Sequence, residues 1–111
     1  MASHRVAQVN EVIRREVASA LRRFVEIPPS CLVTIEEVQT SRDLSRAKIA
    51  VSVYPASFRA DVLRLLNEEH REIQQAISHR LIFRVPPKLV FSIDMREERA
   101  DRINRLLDEG K

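Results

Sequence analysis

Residues 32–54 read LVTIEEVQTSRDLSRAKIAVSVY, two β-branched runs around a polar centre, and their reading decides the fold. In Leu32–Val38, Val33 and Ile35 alternate with other residues. In Ala47–Tyr54, Ala47, Ile49, Val51 and Val53 do the same. Alternation with period two turns one face of each run toward a core and the other toward water. Between the runs, Ser41 and Asp43 carry side chains short enough to bond neighbouring backbone amides. The segment is predicted to be an antiparallel hairpin. It contains no glycine to build a tight primed turn, so a wider loop closed by side chains is expected at Ser41 to Ser45.

Toward the N-terminus, Val6, Val9, Ile13, Val17, Ala20/Leu21 and Phe24 recur at three- and four-residue steps. This is the stripe of an amphipathic helix from about Ser3 to Val25, ended by Pro28-Pro29. Toward the C-terminus, Pro55 breaks the second strand and Ser57 is a candidate N-cap for a helix reaching Arg80, with Val62, Leu65, Leu66, Ile73, Ala76 and Ile77 inward. Pro86-Pro87 imposes an extended entry to a third strand, Lys88 to Asp94, where Leu89, Phe91 and Ile93 alternate with Lys88, Val90 and Ser92. A last helix, about Glu97 to Glu109, carries Ala100, Ile103, Leu106 and Leu107. The order helix, strand, strand, helix, strand, helix predicts an α+β domain with a three-stranded sheet and helices on one face. Residues 1–111 read as one domain, with 96–110 as a C-terminal helical extension.

Composition excludes several function classes. The single glycine among 111 residues is Gly110, so phosphate-cradling Gly-rich loops and a Gly-x-x-Gly clamp have no residues to build them. The one cysteine, Cys31, has no disulfide partner and reads as a small core residue. His4, His70 and His79 lack zinc-like or triad-like neighbours, and His70 is placed on a solvated helix face. Glu36-Glu37 and Glu68-Glu69 are adjacent pairs, too divergent to share a proton. No enzyme activity, cofactor or metal is expected. With no apolar signal segment and no long uncharged apolar run, a soluble cytoplasmic protein is the default, and no exposed apolar stripe argues for a dimer, so a monomer is expected.

The net charge of +3 is unevenly placed. Residues 1–25 carry five arginines against Glu11 and Glu16, and from Ile73 to Ile93 no acidic residue occurs. Arg14, Arg15, Arg22 and Arg23 are read as a basic ridge on the first helix. His79, Arg80, Arg84 and Lys88 form a second basic group at the helix end and the third-strand entry. Arg42, Arg46 and Lys48 add a third, weaker group around the hairpin. Arginine forks suit bidentate phosphate contact, and an arginine face binds nucleic acid through its backbone with strong salt dependence. The same pattern serves a protein-interaction module using the charged last helix, and residue chemistry alone leaves both readings open.

One family matches these motifs. Val38-Gln39-Thr40-Ser41-Arg42-Asp43-Leu44-Ser45-Arg46-Ala47-Lys48-Ile49 resembles the V-x-x-S-x-D-L-x-x-A-K-V signature of the ribosome-binding factor A family. Arg84-Val85-Pro86-Pro87-Lys88-Leu89-Val90-Phe91 with Asp94 resembles the family's R-x-x-P-x-L-x-F-x-x-D. The likeness extends to Arg5-Val6-Ala7-Gln8-Val9-Asn10 and to Arg102-Ile103 with Leu106-Leu107. It implies a KH-like fold of type II topology without the Gly-x-x-Gly loop, with a kinked helix whose bend falls at Ala76-Ile77-Ser78. There Ser78 stands where the family has glycine. The Asp-Pro-Arg that follows the family's first helix is replaced by Glu26-Ile27-Pro28-Pro29-Ser30. The resemblance further implies a small-subunit partner and its rRNA, a role in late maturation near the rRNA 5′ end and in the cold, and release by a ribosome-dependent GTPase. Ser41 and Asp43 are assigned to loop structure, and Asp94 to closing the third strand against the last helix.

Overall fold

The computed structural model describes residues 4–79, 84–96 and 106–107. Its elements run α1 (His4–Phe24), β1 (Leu32–Thr40), β2 (Arg46–Tyr54), a 3-10 turn (Ala56–Phe58), α2 (Arg59–Glu68), α3 (His70–Ser78) and β3 (Lys88–Ile93). The sheet order is β1-β2-β3, with β2 antiparallel to β1 and parallel to β3. A parallel pair cannot be closed by a tight turn, and α2 and α3 supply the crossover. Helices α1, α2 and α3 all contribute to the core, and the opposite sheet face carries the exposed Arg46, Lys48, Lys88 and Val90. This is the KH-like, type II arrangement that the resemblance implies.

The core follows from the sequence periods. Val6, Val9, Ile13, Val17, Ala20 and Leu21 of α1 are buried, as are Ala47, Ile49, Val51 and Val53 of β2 and Leu89 and Phe91 of β3. β1 departs from strict alternation. Ile35 pairs with Val51 and Glu37 with Ala50, so Glu36 is an extra residue in a β-bulge. The bulge resets the phase, and three residues after Ile35 it is Val38 that reaches the core.

Both free edges of the sheet are closed by helix side chains. Along β1, the Arg14 guanidinium donates from Nη1 to the Ile35 carbonyl at 2.8 Å and from Nη2 to the Glu36 carbonyl at 3.3 Å, spanning the bulge. Asn10 Oδ1 accepts the Thr40 amide and hydroxyl. Along β3, Gln74 bridges the Leu89 amide (2.9 Å) and the Pro87 carbonyl (2.9 Å), and His70 Nε2–H donates to the Leu89 carbonyl at 2.7 Å. Unpaired edge groups are templates for association, and these side chains occupy them.

Four expectations are corrected. The helix expected from Ser57 to Arg80 is two helices, broken at Glu69 (φ −95°, ψ 9°). Ser57 lies inside the 3-10 turn instead of capping a helix, and α2 starts without a side-chain cap. His70 is half-buried against β3, its ring edge-on to Phe91 with centroids 6.0 Å apart, and not on a solvated face. Ala76 and Ser78 close α3, with Ser78 Oγ donating to the Gln74 carbonyl four residues back at 2.8 Å. The chain from Arg80 to Phe83, where a bend at Ala76-Ser78 would lead, lies outside the described residues, as does the expected last helix apart from Leu106 and Leu107. Leu106 and Leu107 are helical but exposed, although the sequence stripe places them inward.

Candidate nucleic-acid interface

The basic residues occupy three places. On α1, Arg14 and Arg23 are nine residues apart, about two and a half turns, and so stand on opposite flanks of the helix. The expected four-residue ridge therefore narrows to Arg15 and Arg22, which lie nearly in line along the exposed face about 10 Å apart. Arg14 is turned to the bulge carbonyls and lies 3.7 Å from Glu11. Arg23 packs its guanidinium over the Phe24 ring, 4.9 Å from the centroid, while its exposed end remains at the last turn of α1. Cations there also complement the helix dipole.

On the open sheet face, the β2–β3 register places Arg46 directly opposite Lys88, with Lys48 beside Val90. All three cations are exposed. The tertiary pairing thus unites two groups that are forty residues apart in sequence. Arg42 sits exposed in the adjoining turn, and His79 is exposed at the end of α3. The third place is an open cleft between the first half of α1, the β1–β2 turn and the segment entering β3, which brings Arg15 and Arg84 together. Arg5 lines it too, a residue absent from the basic groups expected from the sequence, although its seven-residue spacing from Val12 puts both on one flank of α1. Arg80 lies outside the described residues.

Arg15, Arg22, Arg42, Arg46, Lys48, Arg84 and Lys88 make no ion pair among the described residues, in contrast to Arg14, Arg64 and Arg96. Asp94 is differently disposed: its amide donates to the Val51 carbonyl at 2.6 Å, extending the β2–β3 ladder, and its carboxylate holds Arg96 at 2.7 Å.

The turn that carries Arg42 is closed by its own side chains. Ser41 Oγ accepts the amides of Ser45 and Arg46 at 3.1 Å each, while Asp43 Oδ1 accepts from the Ser41 and Ser45 hydroxyls at 2.7 Å and from the Ser45 amide at 3.1 Å. Those bonds, the Ser45 hydroxyl first, lower the Asp43 pKa to about 2. Leu44 follows at φ 59°, a left-handed position that usually goes to glycine.

No group of three or more potential metal-ligating side chains occurs among the described residues. Burial pushes the Cys31 thiol up, the opposite of nucleophile activation. No helix among the described residues is long and apolar enough to cross a membrane.

An α+β KH-like domain with exposed cations on a helix, a sheet face and a strand entry belongs to the class of small basic binding domains. Comparison with known proteins makes the class specific. The family model for ribosome-binding factor A matches residues 5–107. The chain is 36% identical over 110 residues to ribosome-binding factor A of Akkermansia muciniphila, covering 98% of this chain and 87% of the relative. It is 37% identical over 114 residues to that of Gloeobacter violaceus, covering 98% and 88%. Among solved structures it resembles the crystal structure of ribosome-binding factor A from Thermus thermophilus, with TM-score 0.67 and 25% identity over 79% of this chain and 93% of that one. The solution NMR structure of a Thermotoga maritima protein named for the same factor superposes with TM-score 0.70 at 23% identity, over 83% and 89%. A Thermus thermophilus model of the factor, fitted into a cryo-EM map of a 30S complex, gives TM-score 0.62 at 24% identity, over 86% and 97%. The chain belongs to the ribosome-binding factor A family, which is a family of ribosome-binding factors and not of enzymes.

Proposed function

We propose that this protein binds the small ribosomal subunit by holding rRNA phosphates on its cationic side chains, and that it does so during late maturation of that subunit. The observation that carries the reading is family membership over residues 5–107, together with a relative's placement in a 30S complex. The electrostatics support it: Arg15, Arg22 and Arg23 on α1, Arg42, Arg46, Lys48 and Lys88 on the open sheet face and its turn, and Arg84 and His79 near the strand entry form the contact set. Arg80 joins that set by its place in the acid-free stretch. Arg14 contributes through the bulge it braces. Each phosphate neutralised releases counterions, so affinity falls steeply with salt while base sequence matters little. The chemistry asked of the protein is recognition alone, with no bond made or broken. A role near the rRNA 5′ end and in cold growth, and release by a ribosome-dependent GTPase, belong to the same proposal.

Sedimentation with purified small subunits and with whole ribosomes across a potassium chloride series tests this. Preferential, salt-sensitive association with small subunits is expected, and replacing Arg46 and Lys88 with Gln should lower the log–log salt slope by about 1.4, or roughly 0.7 per phosphate contact on single strands. Absence of association at low salt would overturn the reading. Association indifferent to salt would instead favour a protein-interaction module.

A further inference from the structure

We propose that the cleft between α1, the β1–β2 turn and the β3 entry receives an unstacked base of single-stranded RNA, its flanking phosphates held by arginines on the rim. The inference rests on the RNA-binding reading above and gives it a place and a recognition chemistry.

The cleft measures about 930 Å³, toward the top of the roughly 300–1,000 Å³ range of small-molecule sites. Its floor is apolar: Val12, Leu44 and Val85 line it, and Val85 is 77% exposed. Its rim is basic, formed by Arg5, Arg15 and Arg84, none of which has an ion pair among the described residues. Glu11 and Asp43 also line the cleft, but both are engaged. Glu11 lies 3.7 Å from Arg14, and Asp43 Oδ1 accepts two hydroxyls and an amide within the turn.

An occupant must satisfy both the apolar floor and the cationic rim. An apolar side chain of a protein partner would cover the floor and leave three guanidinium groups without anions. An RNA duplex would pair the guanidiniums but keep its bases stacked away from the floor. A single-stranded nucleotide does both, because its base is a flat apolar plate flanked on each side by a phosphate. The tight turn supports the site: Leu44 is fixed at positive φ by the bonds of Ser41, Asp43 and Ser45, so the floor is preformed.

The test uses the full chain and a labelled oligoadenylate hexanucleotide, with binding followed by anisotropy across a salt series. The neutral variant V12S/V85S should raise Kd about five- to tenfold with the salt slope unchanged, since it removes apolar contact and no charge. R5Q/R84Q should lower the slope by about 1.4 instead. Methyl resonances of Val12, Leu44 and Val85 should shift on adding the hexanucleotide. V85S alone, at an exposed position, serves as the variant whose folding is not in question. Wild-type hexanucleotide affinity in V12S/V85S and V85S overturns the proposal. It is equally overturned if those variants lose small-subunit association yet keep hexanucleotide binding, which would assign the cleft to a protein side chain. Salt-sensitive association of the wild-type protein with small subunits, persisting beside either result, leaves the broader function standing. Its absence removes that function and not merely the cleft.

Discussion

Asp43 shows how one exposed residue can organise a loop. Its carboxylate takes three donors within the turn, and they hold its pKa at about 2 against about 3.9 in an unfolded chain. A folded-state pKa below the unfolded one stabilises the fold at pH above about 4, and that contribution is lost as pH falls toward 2. A carbon-detected NMR titration should therefore give Asp43 a midpoint near 2. A midpoint near 4 would mean that the serine bonds do not form in solution. Leu44, next in the chain, occupies a backbone region that glycine would enter freely. A leucine there is held by the Ser41–Asp43–Ser45 network and by its own packing against the core. The arginines of α1 show the converse lesson. Arg14 and Arg15 are neighbours in sequence, yet one braces a bulge and the other faces solvent.

At the level of elements, α1 and α3 each contribute polar side chains that close a sheet edge. The four-residue step from His70 to Gln74 puts both on one face of α3, and that face meets β3 at Leu89. Replacing Gln74 with Ala should destabilise the domain by about 1–2 kcal/mol in chemical denaturation, because the Leu89 amide and Pro87 carbonyl lose their partner. The Leu89 amide should also exchange with solvent measurably faster than in the wild type. Unchanged exchange at Leu89 would show that the glutamine bond carries no protection. The hairpin and all three strands were legible from alternation. The bulge at Glu36 was not, because a one-residue insertion leaves local composition unchanged and shows itself only in the register against β2. The break at Glu69 also had no glycine or proline to mark it. It coincides with His70 being drawn to the Leu89 carbonyl, a tertiary contact.

For the whole molecule, closure of both sheet edges bears on self-association. The Ile35 and Glu36 carbonyls, the Thr40 amide and the Leu89 amide and carbonyl are already bonded to α1 and α3. A second copy finds no ready strand template at those positions, and the protein should sediment as a monomer at micromolar concentration. A dimer disrupted by substitutions along β1 or β3 would contradict this. The charge layout is likewise a property of the folded chain. A net charge of +3 is small, but the β2–β3 register sets Arg46 opposite Lys88, and the cleft joins Arg5 and Arg15 to Arg84.

The sequence by itself determined the first helix, the three strands and their core stripes, the α+β class and the family, because periodicity and the two ordered motifs are local signals that survive without coordinates. It also located the basic residues and excluded Gly-rich phosphate loops. Only the tertiary structure decided which cations lie side by side and which bond within the protein. That choice depends on strand register, helix phase and the direction in which each guanidinium finds an acceptor. Arg14 bonds a bulge carbonyl twenty-one residues away, and Arg84 faces a helix from the opposite part of the chain. Contacts across such separations are fixed by packing, and no local pattern in the chain records them.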